Sequence, residues 1–172
     1  MLIILKLASS VFIMPFSTSW LDISQDSPFS LANIPFGIIS TSGNTTPRVA
    51  VAIGDFALDL EAFALSNGFS SLSPITPNLS VFSRSTLNDF AALGQHKHRQ
   101  VREYLRNVLS SNGPYREILQ DNDALQRKVL IPLKNVKLHL PMQIGDYTDF
   151  YAGRNHAFNV SLILLDLKSS IS

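Results

Sequence analysis

The stretch "IGDYTDFYAGRNHAFNV", residues 144–160, holds two aspartates, two tyrosines, an arginine and a histidine within seventeen residues. Acid, phenol and imidazole at this spacing can divide a reaction between a group that holds charge and a group that moves a proton. Asp149 and His156 are seven residues apart. One straight helix would therefore put them on one face, about 10 Å apart along its axis. A single hard ion needs its ligand atoms within about 2.5 Å, so a shared ion does not fit that helix. The spacing suits a division of labour, with the Asp149 carboxylate toward a hard cation and His156 toward a proton. Gly153 permits a break in the backbone between them, leaving Asp149, Phe150 and Tyr151 ahead of a helix and His156 inside it. The Tyr151 phenol can orient a carboxylate or carbonyl of a substrate. The competing reading is plainer: surface polar groups flanking a Phe and a Tyr that pack in a core. Three residue types alone do not separate the two.

These residues must be held by elements earlier in the chain. "IPFGIIS" and "RVAVAIGDFALDL" read as strands, because Val49, Val51 and Ile53 alternate with the small Ala50 and Ala52. Gly54-Asp55 within the second is a two-residue hairpin signal, after which Phe56, Leu58 and Leu60 resume the alternation. Residues 66–83 are rich in Ser, Pro and Asn and read as a long surface loop; such length warns of a short hidden element. In "STLNDFAALG", Ser85 is placed to cap a short helix and Gly94 to end it. "QHKHRQVREYLRNVLSSNG" is the clearest helix, with Val101, Tyr104, Leu105, Val108 and Leu109 in one apolar stripe and Gly113-Pro114 as its stop. Asp121 or Asp123 is placed to cap another helix ending before Pro132. "NVKLHLP" alternates once more and leads as a strand into residues 144–160, with His139 on its polar side, opposite Leu138 and Leu140, in a structural role. There is no internal repeat.

Bulk properties narrow the classes. A chain of 172 residues suits one ordinary domain and is short for two large ones. A formal charge of +1 gives no whole-chain field to recruit nucleic acid or an anionic membrane. The absence of cysteine excludes disulfides, thiolate chemistry and Cys-based zinc sites, and fits a reducing compartment. The basic run His96, Lys97, His98, Arg99, Arg102 and Arg106 invites a metal or nucleic-acid reading. Residues two apart on a helix diverge, however, and Glu103 among the arginines marks a solvated face. The amino-terminal "MLIILKLASSVFIMPF" is apolar but broken by Lys6, Ser9 and Ser10, too interrupted for a spanning helix. It is a poor signal peptide, and the lack of Arg before residue 48 argues against a mitochondrial presequence. An added leader, with Met14 as an alternative start, is the plainer expectation for residues 1–18.

Order of residues is more specific than spacing. "LPMQIGDYTDFYAGRNHAFNV" resembles a motif of the fumarylacetoacetase family, and "FSLANIPFGIIST", "PRVAVAIGDFALDL" and "TLNDFAALG" resemble that family's amino-terminal domain in the same order. The resemblance covers about residues 19–160. It implies an α+β chain with a small SH3-like β-barrel and helices over 19–141, then the first segment of a β-roll catalytic domain from 142. It further implies a cytoplasmic, metal-dependent hydrolase that splits a carbon–carbon bond of the diketo acid 4-fumarylacetoacetate into fumarate and acetoacetate, in tyrosine and phenylalanine breakdown. By that resemblance Asp149 falls on a ligand of Ca2+ or Mg2+, Tyr151 on a substrate-contacting tyrosine and His156 on the catalytic, water-activating histidine. The family's members homodimerise; neither nucleic acid nor membrane is implied as a partner.

The departures are as informative. The family continues with a glycine and then Met-Phe-Arg, whereas Ser161 follows Val160 here and Leu165 stands where the arginine is expected. "SLILLDLKSSIS" matches nothing in the family. The further carboxylates that complete the metal site, the acid that orients the histidine, and the charge-stabilising Lys and Arg have no counterpart in the chain. The expectation is therefore a truncated chain, either an enzyme seen in part or a non-catalytic fragment acting as an interaction module.

Overall fold

The computed structural model describes residues 18–149 and 152–169, with the backbone alone for 164–169. Residues 1–17, Phe150 and Tyr151, and the expectations attached to them, lie outside the described residues.

The fold is α+β. Strands β1 (Phe36–Thr41), β2 (Arg48–Ile53) and β3 (Phe56–Asp59) form an antiparallel meander, with β4 (Leu130–Pro132) added on β3. A 3₁₀ turn, Leu133–Asn135, then carries the chain across to β5 (Val136–His139), which pairs with the free edge of β1. The sheet order is β4-β3-β2-β1-β5, so two strands consecutive in sequence occupy opposite edges of one curled sheet. The alternation read from the sequence sets its two faces. Val49, Val51, Ile53, Ile38 and Leu58 are buried in the main core, while Ala50 and Ala57 join Ile39 in a second, smaller cluster on the other face. Gly54 carries a φ of 53° in the turn between β2 and β3, and a side chain there would lie 3.1 Å from Ile23.

Helices cover the large-residue face. Short α1 (Leu60–Leu65) follows β3 directly and is started by Asp59, whose carboxylate accepts from the Ala62 amide at 3.0 Å. The longer helix, α3 (Gln95–Leu109), buries Val101, Tyr104, Leu105, Val108 and Leu109, the stripe expected from its spacing. Its carboxyl end is closed from the amino-terminal side: Trp20 Nε1 donates to the Val108 carbonyl at 3.0 Å and Ser19 Oγ to that of Leu109 at 2.9 Å.

Four expectations are corrected. Residues 66–83 are not a surface loop throughout: Ser73–Ser83 is a 3₁₀ helix, and Phe69, Ile75, Val81 and Phe82 are buried. Phe69 stacks on Phe82 with centroids 4.8 Å apart and meets Phe63 edge-on at 5.0 Å, so a few large apolar groups outweigh the polar composition around them. Ser85 does not cap α2 (Asn88–Ala92); no side chain does, and Asn88 is used elsewhere. Helix α4 (Asp123–Val129) is capped by Asn122 rather than by either aspartate, its side-chain oxygen accepting from the Leu125 amide at 3.1 Å. The basic run on α3 is only partly solvated. Lys97 donates to the Pro74 carbonyl, His98 Nε2 lies 2.8 Å from that of Phe90, and Arg102 donates to Ile34 and Ala32 at 3.1 and 3.3 Å. Those side chains satisfy loop carbonyls and tie α3 to its neighbours.

Tyr104 gives the fold a testable signature. Its hydroxyl donates to the Gly68 carbonyl at 2.6 Å, and burial, partly opposed by a hydrogen bond with Ser71, pushes its pKa up to about 12. An acid whose folded pKa exceeds its unfolded value keeps its full contribution below the unfolded pKa, near 10. Above that the unfolded chain ionises first, so stability falls as pH rises from 10 toward 12, by about 2–3 kcal/mol in all. Urea melts across that range should show the loss in the parent and a much shallower one in Tyr104→Phe. Equal slopes would contradict the assignment.

Candidate active-site segment

Residues 141–143 are pinned before the 144–160 segment begins. The Leu87 amide at the start of α2 donates to the Pro141 carbonyl at 2.7 Å. The Asn88 side chain then makes a reciprocal pair with Gln143, accepting from its amide at 2.9 Å and donating to its carbonyl at 3.2 Å. Helix α2 lacks a side-chain cap because Leu87 holds its cap position, and Asn88 just after it is committed to the chain 55 positions later. Sequence reasoning placed "STLNDFAALG" on a helix and missed this clamp. The asparagine at the helix start was the available signal.

Beyond the clamp, residues 143–149 take no regular secondary structure and are exposed, Tyr147 at 80%. Asp146 folds back on its own segment, accepting from the Tyr147 amide at 2.8 Å. Helix α5 runs from Arg154 to Ser169, and its first turn is closed by the Ala157 amide donating to the Gly153 carbonyl at 3.0 Å. The helix therefore begins just after Gly153. Asp149 lies ahead of the helix and His156 on its first turn, both exposed. Phe158, Leu162 and Ile163 on the same helix are 50–63% exposed.

The donor chemistry is right in kind and short in number. Carboxylates such as Asp149 and Asp146 suit a hard cation, but calcium takes six to eight oxygens. Among the described residues no group of three or more His, Asp or Glu side chains comes together to hold a metal. Two sizeable hollows lie nearby: one of about 390 Å³ in the curl of the sheet, the other of about 410 Å³ between α2, α3 and Met142. Neither is lined by Asp149 or His156. Among the described residues no helix is long and apolar enough to cross a membrane.

Comparison with known proteins decides the family. Residues 32–141 match the family model described as "Fumarylacetoacetase N-terminal". The chain belongs to this family. It is 62% identical over 145 residues to a fumarylacetoacetase of Emericella nidulans, covering 84% of this chain and 34% of that protein. It is 40% identical over 154 residues to that of Arabidopsis thaliana (90% and 35%), and 37% identical over 153 residues to that of Homo sapiens (89% and 35%). The chain thus spans about a third of the length of the curated relatives it matches. The matched domain ends at Pro141, within the residues that α2 clamps.

Proposed function

We propose that this chain is the amino-terminal part of a fumarylacetoacetase, a cytoplasmic hydrolase that divides 4-fumarylacetoacetate into fumarate and acetoacetate in tyrosine and phenylalanine breakdown. In this reading the curled sheet is an SH3-like barrel: a three-strand meander, β4 added on β3 after the helices, a 3₁₀ turn, and a last strand returned to β1. The catalytic region begins at residue 142, with a tail unlike the family from 161, and the complete enzyme pairs as a homodimer. His156 takes the proton of a water that adds to a carbonyl carbon of the diketo acid. The neighbouring carbon–carbon bond then breaks, its electron pair leaves on the departing carbon, and that carbanion is protonated. Tyr151 orients the substrate through its hydroxyl. Asp149 supplies one oxygen ligand to a calcium or magnesium ion, which the described residues fit in donor type and not in number.

One observation carries the reading. The segment leaves the family domain from a fixed point and breaks at Gly153, so that a carboxylate precedes a helix and an imidazole opens it. A division of labour between ion and proton fits that arrangement. The test is a polypeptide of this chain through Val160 continued by the carboxy-terminal region of the Emericella nidulans enzyme. Followed by loss of diketone absorbance, His156→Ala should lower kcat by about a hundred- to ten-thousandfold at saturating metal. Asp149→Ala should mainly raise the metal concentration required. Activity indifferent to both changes would remove these residues from the site.

A further inference from the structure

Strand β5 presents its side chains in the sense opposite to the usual one. Leu138 and Leu140 are 73% and 76% exposed, while His139 between them faces the core side and places Nε2 2.8 Å from the buried Ser40 hydroxyl. A slip of one residue would bury both leucines and expose the histidine. Two fixed points prevent it. The register Ile38↔His139 and Ile39↔Leu138 locks the strand to β1, and the Leu87 and Asn88 bonds to residues 141 and 143 hold its exit. The outward leucines are a consequence of the fold's hydrogen bonding and not of a loose end.

Beside them lies the hollow of about 390 Å³ in the curl of the sheet. The small Gly37, Ala50, Ala52 and Ala57 line it, and Leu138 is among its lining residues. An apolar face built into a fixed register beside a matching hollow marks a surface that is covered in the working molecule.

We propose that this face seats the carboxy-terminal region that follows the matched domain in the relatives, with an apolar side chain of that region entering the hollow. The relatives carry about twice as much chain again beyond the part aligned here, and the row of exposed leucines runs out of the matched domain toward it. Docking there also fixes the direction in which residues 144–160 depart. The inference rests on the preceding reading in one respect, that this domain serves the same polypeptide as its relatives' catalytic region.

The absence of cysteine makes the face directly measurable. Leu138→Cys and Leu140→Cys are introduced singly, with Leu65→Cys on α1, itself 75% exposed, as the control. Thiol labelling rates are read peptide by peptide in the 172-residue polypeptide and in the chain continued by the Emericella nidulans region. Positions 138 and 140 should label at least about tenfold more slowly in the continued chain, since only opening of the docked face exposes them, while position 65 is unchanged. Equal rates at 138 and 140 in the two proteins would overturn the proposal. So would slow labelling already present in the 172-residue polypeptide, with concentration dependence identifying a second copy as the occupant. A continued chain that fails to hydrolyse the diketo acid yet protects 138 and 140 would sink the proposed function and leave the docking face standing.

Discussion

Replacing Asp59 by alanine should destabilise the domain by about 3–5 kcal/mol, a large share of the stability of a small domain. Two roles meet at this carboxylate. One oxygen caps α1 through the Ala62 amide, and the other takes a 2.6 Å bond from Arg48 Nε with both side chains about 95% buried. Cap loss alone is worth about 1 kcal/mol. The remainder comes from leaving the Arg48 guanidinium in a dry site with only the Asn44 and Thr46 carbonyls and a distant Glu61 oxygen at 3.9 Å. Asp59→Asn keeps the cap and loses the charge, so it should fall between the parent and alanine. Arg48→Met combined with Asp59→Asn should recover part of the loss, because no charge is then stranded. Urea melts followed by circular dichroism give the numbers; a loss below about 1 kcal/mol for Asp59→Ala would mean water reaches the pair.

Arg48 and Asp59 also show what the sequence could and could not disclose. Both lie on the small-residue face of their strands, where a period of two marks them as outward and solvated. Both are buried instead, paired with each other and bonded to the Asn44 and Thr46 carbonyls and the start of α1, and no local pattern encodes that burial. The strands themselves, the hairpin at Gly54 and the stripe on α3 were legible because each rests on a repeat shorter than about ten residues. The 3₁₀ run at Ser73–Ser83 was not, because its Ser and Pro content masks widely spaced buried residues such as Phe82, which packs on the distant Phe69 and Phe90. The inversion of β5 is a third case. The alternation of "NVKLHLP" was clear, but which parity faces the core depends on Ser40, 99 positions away. For residues 144–160 the break at Gly153 was readable from the glycine, whereas the Asn88 clamp joins residues 55 apart and had no periodic signature.

The second large effect concerns activity of the 172-residue polypeptide itself. Its described residues offer Asp149 without a converging set of three or more ligands, and His156 on the first turn of an exposed helix. A hard cation held by one or two carboxylates in water binds weakly, because most of its oxygens remain solvent. Removing one preorganised charge-stabilising group costs about a hundred- to a thousandfold in rate, so a site lacking several falls below detection. The most direct test of the account is fumarylacetoacetate hydrolysis measured side by side, with calcium or magnesium present, for the 172-residue polypeptide and for the chain continued past Val160. The account predicts no turnover above background in the first, and metal-dependent turnover in the second that is lost in His156→Ala. Metal-dependent turnover by the 172-residue polypeptide, abolished by His156→Ala, would contradict it.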